Sequence, residues 1–272
     1  MNRVPVLPTL LTLGNGMCGF AAIAYASKIV PGKMPEPTSN ESYYLFSAAL
    51  IFLAMMFDVL DGYAARLSKT ASEFGGQLDS LCDAISFGLA PAFLLLRLGL
   101  EWNQQPIIGK AVAIIAGLYL ACTVLRLARF NLENDPDPAS HRRFKGLPSP
   151  AAAGCLASLA ILRGFEGSDL FGLNDEMIHG FIRVAAPLGA MIAALLMVSH
   201  LPYPHLGRQL LSGKKHFRFV VQLLLFGAIM AILPQLTFFL LFWSYALFPP
   251  LKFLARQLTA ERSPENNPQV HG

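Results

Sequence analysis

Charge is what this chain has least of. Only 14% of its 272 residues are Asp, Glu, Lys or Arg, against 54% hydrophobic residues and a mean hydropathy of +0.49. A soluble domain carries about 25% charged residues, so this composition excludes an ordinary water-soluble fold. Cysteine is scarce as well. Cys18, Cys82, Cys122 and Cys155 lie far apart with no C-x-x-C spacing, which argues against a zinc ribbon or a dithiol redox centre and leaves them as small apolar core residues. His141, His200, His205 and His216 are scattered near expected helix ends and loops, where interfacial roles suffice. No nucleic-acid-binding motif accompanies the net charge of +4. The excess positive charge therefore reads as membrane topology and contact with anionic lipid, not as a nucleic-acid surface. No internal repeat is present.

Long apolar runs are what the chain has instead. A helix needs about 20 apolar residues to cross a bilayer. Such stretches can be drawn at 8–28, 43–66, 77–99, 107–130, 148–164, 180–199, 217–233 and 235–255, which predicts an all-α, polytopic membrane bundle of about eight transmembrane helices. The fifth stretch is short, and the last two are divided only by Pro234. The apolar N-terminal run continues into Ala21–Ala26 without a convincing cleavage site, so it is expected to be retained as the first helix. One transmembrane domain is expected over residues 1–258, followed by a disordered cytoplasmic tail over 259–272, rich in Pro and Asn. With the N-terminus inside, Arg66, Lys69, Arg126, Arg129, Arg142, Arg143 and Lys145 fall in or beside inside loops. That bias puts both termini in the cytoplasm and predicts a cytoplasmic membrane location of bacterial type.

Four acids interrupt the apolar runs within "FDVLDGYAARLSKTASEFGGQLDSLCDAISFG" (57–88): Asp58, Asp61, Asp79 and Asp83. Each residue of an α-helix advances about 100°, so Asp58, Asp61, Gly62, Ala65 and Arg66 share one side of the second helix, while Asp79 and Asp83 share a face of the third. The polar turn between the helices folds the two acidic faces together. Four carboxylates meeting in a partly dehydrated site repel one another unless a cation intervenes, and Arg66 and Lys69 are too few to neutralise them. Hard oxygen ligands select Mg²⁺ or Mn²⁺, and four shared carboxylates are enough for two ions. Gly62, Ala65, Gly75 and Gly76 leave room beside the acids, and Arg66 offers a planar donor fork to a phosphate. The combination points to phosphoryl-group chemistry. The competing reading, a divalent-cation transporter, calls for acids near the bilayer midplane along a continuous polar path. Here they gather toward one membrane face.

Asp58-x-x-Asp61-Gly62-x-x-Ala65-Arg66, eight residues, Gly75, three residues, Asp79, three residues, Asp83 resembles at every position the signature of the CDP-alcohol phosphatidyltransferases, integral membrane enzymes of lipid head-group synthesis. The resemblance implies that Asp58, Asp61 and Asp79 bind divalent metal. It also implies that Asp83 is both a ligand and the base that activates the acceptor hydroxyl, and that Gly62, Ala65, Arg66, Gly75 and Ser72 contact the cytidine nucleotide of the donor. Two further segments resemble the phosphatidylserine synthase branch: "VPVLPTLLTLGNGMCGF" (4–20) and "RLARFNLEND…RRFKGLPSPAAAG" (126–154). The likeness covers roughly the first 165 residues.

On this reading the substrates are CDP-diacylglycerol and L-serine. Membrane lipids and a second copy of the chain are candidate partners. Serine brings a carboxylate, an ammonium and a hydroxyl, so its site needs a cation; Arg126 and Arg129 are candidates, with Asn131 and backbone groups around Gly146–Ser149 beside them. Snorkelling to lipid head groups is the plainer explanation of the two arginines. Thr12 and Asn15 are candidate contacts to the donor, with helix packing as their alternative. A glycerol phosphate or an inositol phosphate remains the competing acceptor, and should require more cationic side chains.

Overall fold

The computed structural model describes residues 6–30, 40–68, 73–99, 106–133, 146–164, 175–203 and 233–261. They form an all-helical bundle: α1 (Val6–Ser27), α2 (Asn40–Ser68), α3 (Glu73–Asp83), a π-helical turn (Ala84–Leu89), α4 (Ala90–Leu98), α5 (Pro106–Glu133), α6 (Ser149–Gly164), α7 (Asp175–Val198) and α8 (Pro234–Glu261). Among the described residues six helices are long and apolar enough to span a membrane, with α3, the π-helical turn and α4 counting as one continuous span. The chain is thus an integral membrane protein.

The expected span at 148–164 is present as α6. At 16 residues it rises about 24 Å, less than the roughly 30 Å of a bilayer core. Nearly all of it is buried, Pro150 and Arg163 excepted. Flanked by α2, α4, α7 and α8, it forms the protein-lined axis of the bundle. The expected span at 217–233 and most of the expected tail at 259–272 lie outside the described residues, although α8 runs on to Glu261.

Small residues set how closely the helices approach. Thr12, Asn15, Cys18, Gly19, Ala22 and Ala26 form the buried stripe of α1 at spacings of three and four, as packing between membrane helices favours. A Cβ at Gly19 would lie 2.6 Å from Ser86 Cα and 2.9 Å from Ser86 N, so α1 crosses the π-helical turn almost backbone to backbone. On the other side of α1, the Ser47 hydroxyl donates to the Ala22 carbonyl at 2.9 Å. Gly19→Ala should therefore force the crossing apart at a cost of about 1–3 kcal/mol, the usual range for overpacking. It should lower the melting temperature in detergent, measured by tryptophan fluorescence or by aggregation on heating.

The π-helical turn has a chemical cause in Pro91. An α-helix would satisfy the Phe87 carbonyl with the N–H of residue 91, which proline lacks. The buried Tyr119 hydroxyl of α5 donates to that carbonyl instead, at 3.0 Å. The turn begins directly after Asp83 and sets the rotation of the helix that carries it.

The loop into α6 is anchored at both of its first residues. Gly146, at φ +93°, donates from its N–H to the Leu201 carbonyl at 2.9 Å, and Leu147 N–H donates to the Leu196 carbonyl at 2.9 Å. That backbone region favours glycine, and a Cβ there would meet the Met197 and Ser199 carbonyls. The Gly-Leu-Pro-Ser stretch thus fixes the start of α6, and Ser149 with it, against the end of α7.

Candidate active site

The antiparallel path brings the start of α1, the end of α2, the start of α3, the end of α5 and the start of α6 to one end of the bundle. All of the candidate residues within the described segments belong to these five pieces. Asp58 lies ten residues before the end of α2, about 15 Å along the axis, so the site is recessed into the bundle and not spread on its rim.

Asp58, Asp61 and Asp79 each present a carboxylate oxygen within 4.8 Å of the other two. Asp61 is buried, and Asp58 and Asp79 are half-buried. Asp61 Oδ2 and Asp79 Oδ1 are buried without a hydrogen-bond partner, an arrangement costly for carboxylates unless a cation is bound. An all-oxygen donor set with orphaned buried acceptors fits a hard divalent ion. Thr12 of α1 sits beside Asp61 and donates its hydroxyl to the Pro8 carbonyl at 3.0 Å.

Asp83 lies within electrostatic reach of Asp58 and Asp79 but outside the tight trio. It is buried, and its Oδ1 accepts a hydrogen bond from Asn15 Nδ2 at 2.8 Å. Asn15 is fully buried, and its own Oδ1 has no partner. The expectation that Asn15 is a donor contact therefore meets a different neighbour, the fourth aspartate.

Two of the small residues have open space beside them. A Cβ at Gly62 or at Gly76 would meet nothing within 4 Å. Ala65 and Gly75 are half-buried on the same two helices. Arg66 is exposed, and its Nε–H donates to the Gly62 carbonyl at 2.9 Å, which leaves the outer edge of the guanidinium for an anion. Ser72 lies outside the described residues.

Arg126 carries a positive charge toward the acids. Tyr119, Thr123, Arg126 and Phe130 follow one another at helical spacing along the inner face of α5. The Arg126 guanidinium donates to the Ser149 hydroxyl and lies 5.9 Å from the centre of the Phe130 ring. Asp83, Asp58 and Tyr245 of α8 are within its electrostatic reach. A snorkelling arginine would point away from these groups, so the plainer reading does not describe Arg126. Arg129 is half-buried one turn on.

Asn131 is exposed. It exchanges hydrogen bonds with Ser80, donating from Nδ2 at 2.8 Å and accepting at Oδ1 at 3.2 Å. It thereby ties the end of α5 to the residue after Asp79. Ser80 and Tyr245 were not foreseen. Ser80 had the signal of lying beside a signature acid, whereas Tyr245 sits in an aromatic-rich helix that offered none. The four cysteines are buried and free, as their composition suggested.

Comparison with known proteins agrees with this geometry. A curated CDP-diacylglycerol–serine O-phosphatidyltransferase of Helicobacter pylori strain J99 is 33% identical over 208 residues, covering 75% of this chain and 74% of that protein. The enzyme of the same name from Bacillus subtilis strain 168 is 32% identical over 200 residues, covering 73% of this chain and 90% of that one. An archaetidylserine synthase of Methanothermobacter thermautotrophicus is 30% identical over 200 residues, covering 73% and 69% respectively. The pattern of one family matches residues 5–197, which takes in every described candidate residue except Tyr245. With its acidic cluster, open glycine face and interior arginine all inside that span, the chain belongs to the CDP-alcohol phosphatidyltransferase family.

Proposed function

We propose that this protein is a phosphatidylserine synthase, transferring a phosphatidyl group from CDP-diacylglycerol to the hydroxyl of L-serine with release of CMP. The observation that carries the reading is the convergence of a carboxylate cluster, a separately held Asp83 and an interior arginine at one end of the bundle. The names of the curated relatives point the same way.

Asp58, Asp61 and Asp79, with Asp83 beside them, are the residues that would hold Mg²⁺ or Mn²⁺, two ions in the fullest reading. A divalent ion held there would supply positive charge to the donor pyrophosphate and to the departing CMP. The chain's own groups do the rest. The open space at Gly62 and Gly76, next to Ala65 and Gly75, admits the cytidine nucleotide, Arg66 binds its phosphates, and Thr12 stands beside Asp61.

Asp83 accepts the proton of the serine hydroxyl, whose oxygen bonds to the lipid-side phosphorus while the bond from that phosphorus to the CMP oxygen breaks. Arg126 receives the serine carboxylate, and Ser149 and Tyr245 flank it. Arg126 is within electrostatic reach of Asp83, which lets the serine bridge the two. Arg129 adds positive charge at the rim. A single in-line displacement needs no covalent enzyme intermediate.

The reading includes an active site open to the cytoplasm, in line with the positive-inside bias, and eight crossings within one membrane domain; among the described residues six helices are long and apolar enough to span. The direct test supplies purified protein with CDP-diacylglycerol, Mn²⁺ and L-serine and measures CMP release against phosphatidylserine formed. The expected ratio is one to one, with no CMP in the absence of serine. CMP release that ignores serine would point to hydrolysis and overturn the reading.

Arg126 supplies a sharper prediction. A charge-assisted contact contributes about 1.5–3 kcal/mol, so Arg126→Ala should raise the serine KM about 10–100-fold and leave the CDP-diacylglycerol KM within a factor of about two. Arg126→Lys keeps the charge without the planar fork and should fall between the two. Steady-state kinetics with each substrate varied in turn decides it. An unaltered serine KM in both variants would move the carboxylate site away from α5.

A further inference from the structure

The orphaned and paired atoms of Asn15 point to a role that the donor contact assigned from the sequence does not cover. We propose that Asn15 is a positioning residue for Asp83, fixing one oxygen of its carboxylate so that the other is turned toward the acceptor hydroxyl; the inference rests on Asp83 being the base.

Three observations support it. The Asn15 Nδ2–H donates to Asp83 Oδ1 at 2.8 Å between two fully or nearly fully buried side chains, so the bond has no competition from bulk water. The three remaining aspartates draw together within 4.8 Å, and Asp83, the one held by Asn15, is not among them. An unrestrained carboxylate beside a bound cation would turn onto it, and a carboxylate with both oxygens on metal is a much weaker base.

The third observation is that Asn15 is itself fixed in place. Its carbonyl accepts the Ser86 hydroxyl at 2.8 Å, from the π-helical turn that begins directly after Asp83. Gly19, one turn further along α1, allows the backbones to approach at this crossing. The donor amide and the carboxylate it orients are therefore carried by two elements locked at adjacent points. A residue that merely packed α1 would not need a carboxamide here: the crossing already has the glycine contact and the serine bond. The amide adds a directed donor, aimed at one oxygen of one acid.

Asn15→Ala, Asn15→Ser and, as a comparator, Ser86→Ala test this. Ser86→Ala removes the neighbouring crossing bond without touching Asp83. The readouts are kcat, the KM for each substrate, Mn²⁺ affinity from paramagnetic resonance titration of the protein without substrates, and melting temperature.

For Asn15→Ala the expected result is a kcat lower by about 10–100-fold, with Mn²⁺ affinity and both KM values within about twofold, as befits a bond felt mainly during proton transfer. Asn15→Ser, which keeps a shorter donor, should recover part of the loss. Ser86→Ala should lower the melting temperature and keep kcat within about twofold. A weaker CDP-diacylglycerol KM or Mn²⁺ affinity in step with the fall in kcat would make Asn15 a ligand contact and overturn the proposal. So would an unchanged kcat, or an equal loss in Ser86→Ala.

If Asn15→Ala does not yield folded protein, Asn15→Ser read on the same four quantities decides by the same criteria. Failure of the underlying reading is separately visible: an active Asp83→Asn variant removes the base assignment, whereas an inactive Asp83→Asn with full kcat in Asn15→Ala sinks only the positioning role.

Discussion

Asp79→Asn should abolish turnover and weaken Mn²⁺ binding together. Asp79 is the acid that α3 contributes to a cluster otherwise built from α2, and its Oδ1 is buried without a hydrogen-bond partner. An amide of the same shape occupies the same space, so the fold should survive the change. What it cannot supply is negative charge on the atom that would face the ion, and its N–H would point a donor at a cation. The cluster falls from three carboxylates to two, and the donor pyrophosphate loses the charge that neutralises it. The loss in rate should exceed about a hundredfold, roughly 2.7 kcal/mol of barrier. Retention of more than about a tenth of wild-type activity, a change below about 1.4 kcal/mol, would remove Asp79 from the metal site. Titration with Mn²⁺ followed by paramagnetic resonance provides the independent readout, with a clear fall in affinity expected.

For Asp83→Asn the account predicts a different kind of loss. A missing general base costs about 10²–10⁴-fold in rate. Asp83 lies outside the close cluster and is held by Asn15, so Mn²⁺ and CDP-diacylglycerol should still bind appreciably while the chemical step fails. Equilibrium binding of CDP-diacylglycerol to the inactive variant, compared with Asp79→Asn under the same conditions, separates the two roles. Loss of donor binding equal to that in Asp79→Asn would make Asp83 chiefly a ligand and leave the base to be found elsewhere.

How much of this was legible in the sequence follows from how local each signal is. The four aspartates were legible because buried charge is costly and their spacings of three and four fall on helix faces whatever the neighbours do. Six of the expected crossings appear as helices extended by a few residues at most of their ends, since polar residues such as Asn40 and Glu73 continue a helix that an apolar count cuts short. The axial role of α6 was not legible. A run of small residues reads the same whether it faces lipid or protein, and only the packing of four neighbours reveals which.

The π-helical turn was equally hidden, because Pro91 marks a missing donor but not which neighbour will replace it; Tyr119 does so from another helix. Arg126 and Arg129 were indistinguishable by composition, and three residues of helical rotation, about 300°, separate their directions. Asn131 was read as an acceptor contact from its motif, yet its partner Ser80 lies 51 positions away in sequence. Tyr245 had no signal at all, lying beyond the end of the family match at residue 197.

Acceptor competition tests the central claim most directly. Purified protein would be given CDP-diacylglycerol, Mn²⁺ or Mg²⁺, and an equimolar mixture of L-serine, glycerol 3-phosphate and an inositol phosphate, with the lipid products then resolved by phosphorus NMR and mass spectrometry. A site with Arg126 beside the base suits a carboxylate, so phosphatidylserine should be the dominant product, and it should disappear in Asp83→Asn. A phosphorylated lipid head group as the main product would contradict the serine assignment while leaving the family chemistry intact. No lipid product with any alcohol would contradict the transfer itself.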